Sequence, residues 1–265
     1  ITGGTDGIGL ALTKRLVQDE FEVFIIGKNE LKGNKVVNDI SSSKVEFFQC
    51  DLSEKEELIN LSKKLIKLGK IDCLVNNVGA LFEKRETNKL GIEKNFALNH
   101  LSYFHLSLLL FHKLEEADNP KIINVSSYAH KKYDLNLNDL ENKNKYNPMK
   151  AYCQSKLLNI FFTYAFNLKT NSKIKCNCLC PGLVDSNFGK NNPSFLRASV
   201  NIIKKLFAIS THEASKVPYY LITSPDIENI TGKYFVKFSL ASSSDYSQNK
   251  SIASQVWDKS LDYIK

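Results

Sequence analysis

The chain is 265 residues long and 43% apolar, enough to bury one large core, and its longest apolar stretch, around residues 106–111, is too short to span a bilayer as a helix. Its formal charge of +8, from 36 basic against 28 acidic residues, is carried by lysines spread along the chain among many asparagines, with no block of them. That is a solvated surface without an arginine cluster or stacking-aromatic motif, so no nucleic-acid partner is expected.

Short apolar runs alternate with longer amphipathic ones. Strands are predicted over 22–26, 45–50, 71–75, 121–126, 174–179 and 233–236, and helices over 7–19, 30–39, 54–68, 88–114, 151–168 and 211–223. This alternation predicts an α/β fold: a doubly wound, mostly parallel sheet of the Rossmann type, covered on both faces, in a single domain over residues 1–265. Only Ile1 and Thr2 precede the turn at Gly3, where a strand of about five residues is needed. The expectation is a first strand that is truncated here and central in the sheet. Cys176, Cys178 and Cys180 alternate along one apolar run and should share a strand face as buried thiols, not as a zinc set. No metal is expected, and cysteine usage points to a reducing compartment, the cytoplasm.

Ligands of such sheets lie beyond the carboxyl ends of the strands, so the residues following each strand carry the functional reading. Thr2-Gly3-Gly4-Thr5-Asp6-Gly7-Ile8-Gly9 opens the first helix. Glycines at 3, 7 and 9 permit a tight turn and a close approach to a pyrophosphate, which the helix N-terminus then stabilises. After the strand over 22–26 no carboxylate occurs before Glu30, and Lys28 can supply a cation for the 2′-phosphate of NADP(H); its plainer role is a solvated loop lysine. Asp51-Leu52 follows the next strand, where a carboxylate can accept from an adenine amino group or, with Glu54, form a capping-box-like pair. Asn76-Asn77-Val78-Gly79 places paired amides where they can tie strand ends together, with Gly79 allowing a cofactor close. Asn99 lies in an apolar helical segment and must find a hydrogen-bond partner, and Ser126 and Ser127 end the strand over 121–126.

Tyr152 and Lys156 stand one helical turn apart on one face. The ammonium is expected to lower the phenol from its usual pKa of about 10, as general acid–base chemistry near neutrality requires. The pattern Tyr-x-x-x-Lys occurs four times, beginning at Tyr128, Tyr146, Tyr152 and Tyr246. Pro148 disfavours a helix running from Tyr146, Tyr128 follows the serine pair directly, and Tyr246 lies in a Ser-rich tail. Only Tyr152 opens a long apolar helical run.

In their order, Thr-Gly-x-x-x-Gly-x-Gly, Asp-Leu, Asn-Asn-x-Gly, Asn, Ser-Ser, Tyr-x-x-x-Lys and Pro-Gly make the chain resemble the short-chain dehydrogenase/reductase family over residues 2–186. Gly232-Lys233-Tyr234-Phe235 resembles that family's C-terminal strand. The stretches Glu93-Lys94-Asn95-Phe96, Asn99-His100-Leu101 and Val125-Ser126-Ser127-Tyr128-Ala129-His130 resemble its retinol-dehydrogenase-like branch. The resemblance implies an NADP(H)-dependent oxidoreductase that interconverts a carbonyl and an alcohol. Tyr152 would be proton donor and acceptor, Lys156 would hold the nicotinamide ribose and acidify Tyr152, Ser127 (ahead of Ser126) would orient the substrate oxygen, and Asn99 would hold a relay water. Cofactor contacts are implied for Gly3, Thr5, Gly7, Ile8, Gly9, Lys28, Asp51, Leu52, Asn77, Gly79, Tyr152, Lys156, Pro181, Gly182, Val184 and Ser186. Val78 stands where the family usually has alanine and Ser186 where it usually has threonine. Residues 187–211 are expected to cover the substrate. Their apolar members, Phe195, Leu196, Val200, Ile203 and Phe207 among them, either line a pocket for a medium- or long-chain, retinoid-like carbonyl or pack onto the body. The implied partner is a small-molecule carbonyl or alcohol; membrane association through residues ahead of Ile1, and a homodimer, are further expectations.

Overall fold

Strands buried on both faces of a parallel sheet must be apolar almost throughout, and the inner strands of this chain are. A computed structural model describes residues 1–182, 184–185 and 209–265. In it β1 (Val23–Gly27), β3 (Cys73–Asn76), β4 (Lys121–Val125) and β5 (Lys175–Cys180) are buried at nearly every position, while β2 (Val45–Gln49) is fully buried only at Val45. β1 pairs with β2, and β3, β4, β5 and β8 (Tyr234–Val236) pair in that order, all in parallel. β9 (Ser239–Ala241) closes that edge antiparallel to β8. A separate parallel pair, β6 (Val184–Asp185) with β7 (Ile209–Ser210), lies outside this order.

The two parts of the sheet meet through Ile1 and Thr2. Thr2 bridges to Ile26 in parallel and its N–H donates to Val75 O at 3.0 Å, while Gly3 N–H donates to Ile26 O at 2.8 Å. Those two residues therefore sit between β1 and β3, in the centre of the sheet, where the first strand was expected.

Helices α1 (Gly7–Gln18), α2 (Glu30–Ile40) and α3 (Lys55–Leu65) follow the predicted pattern, with Asp6 and Asn29 capping the first two. The predicted helix over 88–114 is instead broken. Asn88 Oδ1 accepts from Leu90 N and Ile92 N, and Gly91 takes φ +78°, so residues 88–93 turn rather than coil. Helical structure begins only at α4 (Lys94–Phe96), where the Glu93 carboxylate accepts from Asn95 N and Phe96 N. It continues through a π-helical turn (Ala97–Leu101), α5 (Ser102–Leu109) and α6 (Phe111–Glu115).

The long α7 (Pro148–Lys169) starts three residues earlier than predicted, because Asn147 caps it and Pro148 occupies the first turn, where a missing N–H costs nothing. α8 (Thr211–Thr223) matches its prediction, and α9 (Lys250–Ile264) was not predicted: the serines of 239–265 masked helical spacing at Ile252, Val256, Trp257, Leu261 and Ile264. α7 is buried nearly all round, as a helix enclosed on two sides must be. On one side it meets β4 and β5; on the other α9 inserts Trp257, whose ring centroid lies 5.0 Å from Phe104, 6.2 Å from Phe162 and 6.3 Å from Phe166. Among the described residues no helix is long and apolar enough to cross a membrane. Cys176, Cys178 and Cys180 are fully buried free thiols on β5.

The α9 cover is testable because Trp257 is the chain's one tryptophan. Trp257→Ala should destabilise the fold by about 3–5 kcal/mol, read by circular dichroism as a lower urea midpoint. A loss within about 0.5 kcal/mol, as at an ordinary surface position, would show α9 to be peripheral.

Candidate active site

The carboxyl ends of β3, β4 and β5 converge beside the glycine turn that opens α1. Gly3 and Gly7 have φ of +67° and +54°, and a Cβ on Gly9 would overlap Gly3 O and lie 2.7 Å from Asn77 Nδ2. Asn77 in turn ties the end of β3 to this turn: its N–H donates to Thr2 Oγ1 at 2.8 Å and its Nδ2 to Thr2 O at 2.9 Å. Asn76 Nδ2 donates across to Asn124 Oδ1 on β4 at 2.9 Å. The paired amides tie strand ends together, as their position suggested. The result is a cradle of bare backbone at a helix N-terminus, which suits a pyrophosphate.

Beside that cradle the first turns of α7 bring Tyr152 and Lys156 to the end of β4. The Tyr152 side chain is hydrogen-bonded to that of Ser127, whose Oγ also accepts from Ala129 N at 3.2 Å. Ser126 faces the other way and donates to Lys156 O at 2.7 Å, so its hydroxyl braces α7. Lys156 is 4% exposed. Its Nζ donates to Val125 O at 3.2 Å and lies 5.6 Å from the Tyr103 ring centroid and 5.8 Å from that of Tyr152. A Cβ on Gly79 would come within 3.2 Å of Lys156 Nζ.

Burial moves these two groups in opposite directions. It pushes the Lys156 ammonium down to about 8 and raises the Tyr152 phenol above its ordinary value, the Ser127 hydrogen bond offsetting only part of the rise. The ammonium is turned to the Val125 carbonyl, and desolvation is the largest influence on the phenol.

Asn99 lies in the π-helical turn and is fully buried. Its Oδ1 accepts from Ala80 N at 2.9 Å, and its Nδ2 donates to Ala80 O at 2.8 Å and Ser155 Oγ at 3.1 Å. The side chain is thus spent on clamping the loop after β3. Its main-chain carbonyl accepts from Asn159 Nδ2 at 2.9 Å.

At the outer rim Lys28, at the end of β1, is 73% exposed and pairs with Asp51 at 2.6 Å. The hydrogen bond to Asp51 holds Lys28 protonated. Burial would raise the Asp51 carboxyl, but Lys28 and Ser53 outweigh it and hold the group below the usual range. The capping pair of Asp51 with Glu54 does not form: Ser53 bonds to the Asp51 carboxylate, Glu57 accepts from Asp51 N at 2.6 Å, and Glu54 turns to Lys89 N. Thr5 packs beside Gly27, Ile8 lies in the first turn of α1, and Leu52 contributes a buried side chain to the core. Pro181 and Gly182, with φ +92°, follow β5 directly, and Val184 is placed by its pairing with Ile209. Ser186 and residues 187–208 of the expected substrate cover lie outside the described residues.

The three remaining tyrosines of the repeated pattern stand elsewhere. Tyr146 donates to Phe82 O at 2.8 Å and accepts from Asn95 Nδ2 at 2.7 Å, Tyr128 is 51% exposed, and Tyr246 reaches Leu135 O. His130 and Asn159 were missed by the sequence reading. Both are buried polar residues three positions beyond a candidate site residue, a weak signal without a fold to place them.

The sequence and the fold are matched by known proteins. A family model described as short chain dehydrogenase matches residues 1–196, and the chain belongs to this family of nicotinamide-dependent oxidoreductases. It sits with the family's retinol-dehydrogenase-like branch. Human polyprenol dehydrogenase is 31% identical over 99% of this chain and 83% of its own length, and human retinol dehydrogenase 11 is 29% identical over 100% and 84%. Among solved structures, an uncharacterised protein from Mycobacterium paratuberculosis superposes with a TM-score of 0.80 at 21% identity, covering 100% of this chain and 91% of that one. An alcohol dehydrogenase from the archaeon Thermococcus sibiricus, complexed with 5-hydroxy-NADP, gives 0.69 at 17%, covering 92% and 97%. At these identities the structures speak for the fold.

The crowded cradle should make Gly9 and Gly69 behave oppositely. A Cβ on Gly69 meets nothing within 4 Å, so Gly69→Ala should leave stability unchanged or raise it by about 0.4–1 kcal/mol. Gly9→Ala should cost about 1–3 kcal/mol by overpacking and weaken dinucleotide binding. Equal urea midpoints for the two variants would show that the turn is not tightly packed.

Proposed function

We propose that the chain interconverts a carbonyl and an alcohol with NADP(H), and that Tyr152 moves the proton. The observation that carries this reading is the half-buried Tyr152–Ser127 hydrogen bond beside the buried Lys156, at the strand ends that border the glycine cradle. The residues fit a dinucleotide. Gly3, Thr5, Gly7, Ile8 and Gly9 would hold the pyrophosphate at the α1 N-terminus, Asp51 and Leu52 the adenine, Gly79, Lys156 and the 181–186 stretch the nicotinamide end. The bound cofactor supplies or accepts the hydride. In reduction, Ser127 and Tyr152 hydrogen-bond the substrate oxygen, and Tyr152 gives its phenolic proton as negative charge develops there. The raised phenol keeps that proton at neutral pH, and a lysine with pKa about 8 is still mostly charged there to stabilise the phenolate left behind. The Asn99 carbonyl and Lys156 are the groups through which Tyr152 would be reprotonated.

Lys28 supports NADP(H) over NAD(H): it is exposed, protonated and placed at the end of β1, and a 2′-phosphate would compete with Asp51 for it. For the substrate, the relatives named for polyprenol and retinol put apolar alcohols and their carbonyls first. Ile209, 39% exposed and 3.7 Å from where a Gly182 Cβ would sit, adds an apolar wall beside the site. A reducing, cytoplasmic setting would suit the buried free thiols.

Two measurements test this. Turnover of decanal with NADPH should fall about 100- to 10,000-fold in Tyr152→Phe with NADPH binding retained, and stay within a few-fold of the parent in the Phe variants of Tyr128, Tyr146 and Tyr246. Near-parental turnover in Tyr152→Phe would end the assignment. For the cofactor, Lys28→Ala combined with Gly27→Asp should shift preference toward NADH; tighter binding of NADH than NADPH by the unaltered chain would overturn NADP(H).

A further inference from the structure

Ser127 stands at the head of a short 3-10 turn, Tyr128–Lys131, and the last buried residue of that turn is His130, 1% exposed. His130 Nδ1 lies 2.7 Å from Ser127 O, and its Nε2 lies 3.2 Å from Ser244 N. A main-chain carbonyl only accepts and a main-chain N–H only donates. These two partners therefore assign the ring: Nδ1 carries the proton and donates to Ser127 O, and Nε2 accepts from Ser244 N. The ring is neutral, and burial, which lowers its pKa, keeps it so.

Ser244 belongs to a rigid frame. Its neighbour Ser243 is bonded to Tyr164 Oη on α7 at 2.8 Å and to Ser247 Oγ at 2.6 Å, and Ser244 O accepts from Ser247. The Tyr234 ring from β8 packs against the imidazole edge-on at 5.2 Å. The imidazole thus links the turn that presents Ser127 to the C-terminal segment, beside the bonds that the turn makes to β5 through Ser126 N–H and Leu179 O and between the Tyr128 main chain and Cys180.

We propose that His130 is a positioning residue for the proton-transfer site: by donating from Nδ1 to Ser127 O it fixes the Ser127 hydroxyl against Tyr152, and it anchors that serine to the C-terminal segment through Ser244. The inference rests on the reading of Ser127 as the hydroxyl that orients the substrate oxygen.

The two ring nitrogens can be separated by substitution. An Asn amide at 130 puts a donor where Nδ1 is and leaves Nε2 empty; a Gln amide reaches the Nε2 position and leaves Nδ1 empty. His130→Asn should keep kcat for decanal within about threefold of the parent, while His130→Gln and His130→Leu should lose about 10- to 100-fold in kcat, the scale of a misplaced reacting group. NADPH affinity should be unchanged throughout. Hydrogen exchange over residues 127–131 reports on the turn without any turnover, and should be faster in the Gln variant than in the Asn variant. Equal kcat and equal exchange in the Asn and Gln variants would overturn the proposal, also in the case where the Leu variant fails to fold. Ser127→Ala, run beside them, separates the two readings: if it keeps parental kcat the role of Ser127 falls, and if it is crippled while the 130 series is flat only the positioning role of His130 falls.

Discussion

One line of buried amides and hydroxyls sets the height of every group around the candidate active site. Asn76 on β3 donates to Asn124 on β4, Asn124 Nδ2 donates to Thr163 Oγ1 on α7 at 3.0 Å, and Thr163 Oγ1 donates to Asn159 O at 2.9 Å. Asn159 Nδ2 then donates to Asn99 O, and its Oδ1 meets His100 Nδ1. All of these residues are essentially without solvent contact. An unmet buried donor or acceptor costs about 1–3 kcal/mol, so sliding β3 against β4, or α7 along the sheet, would break several pairs together. Apolar packing alone tolerates such slippage; this line of polar groups does not.

The same dryness sets the electrostatics. Water excluded from the end of β4 favours the neutral forms of both Tyr152 and Lys156, so the phenol rises while the ammonium falls. The two shifts bring their protonation ranges apart in a useful sense: near neutrality the acid keeps its proton and the cation keeps most of its charge. The rim works differently. Lys28 faces solvent while Asp51 is largely covered, and the two stabilise each other's charged forms at the rim.

The strand and helix order was legible because periodicity and glycine turns are local properties, and the motif residues fell at strand ends as the doubly wound rule requires. Tyr152 was separable from three look-alikes by what followed each in sequence, and the structure puts only that one beside Lys156 and Ser127. Three features were hidden for identifiable reasons. The helix from 88 was overextended because apolar content continues through Gly91, whose positive φ ends the coil. α9 went unseen because serines dilute its apolar face, although Trp257 fills the aromatic cluster on α7. Most bonds of the amide line, and the His130 bond to Ser244, join residues 39 to 160 positions apart, such as His100 with Ser260, and no local pattern encodes such pairings.

The π-helical turn at Ala97–Leu101 makes the helix around it one residue longer than its axial rise requires. Each residue of an α-helix advances the side chains by about 100° around the axis. Removing a single residue within 97–101 would thus rewind the turn to ordinary α geometry, leaving the flanking stretches near their present phase but turning Asn99 away from its present face. Asn99 could not then meet Ala80 while Tyr103 meets Val78 and Phe104 meets Trp257. The direction in which Asn99 points, relative to the core face of the same helix, is therefore set by a count of residues as well as by their kind.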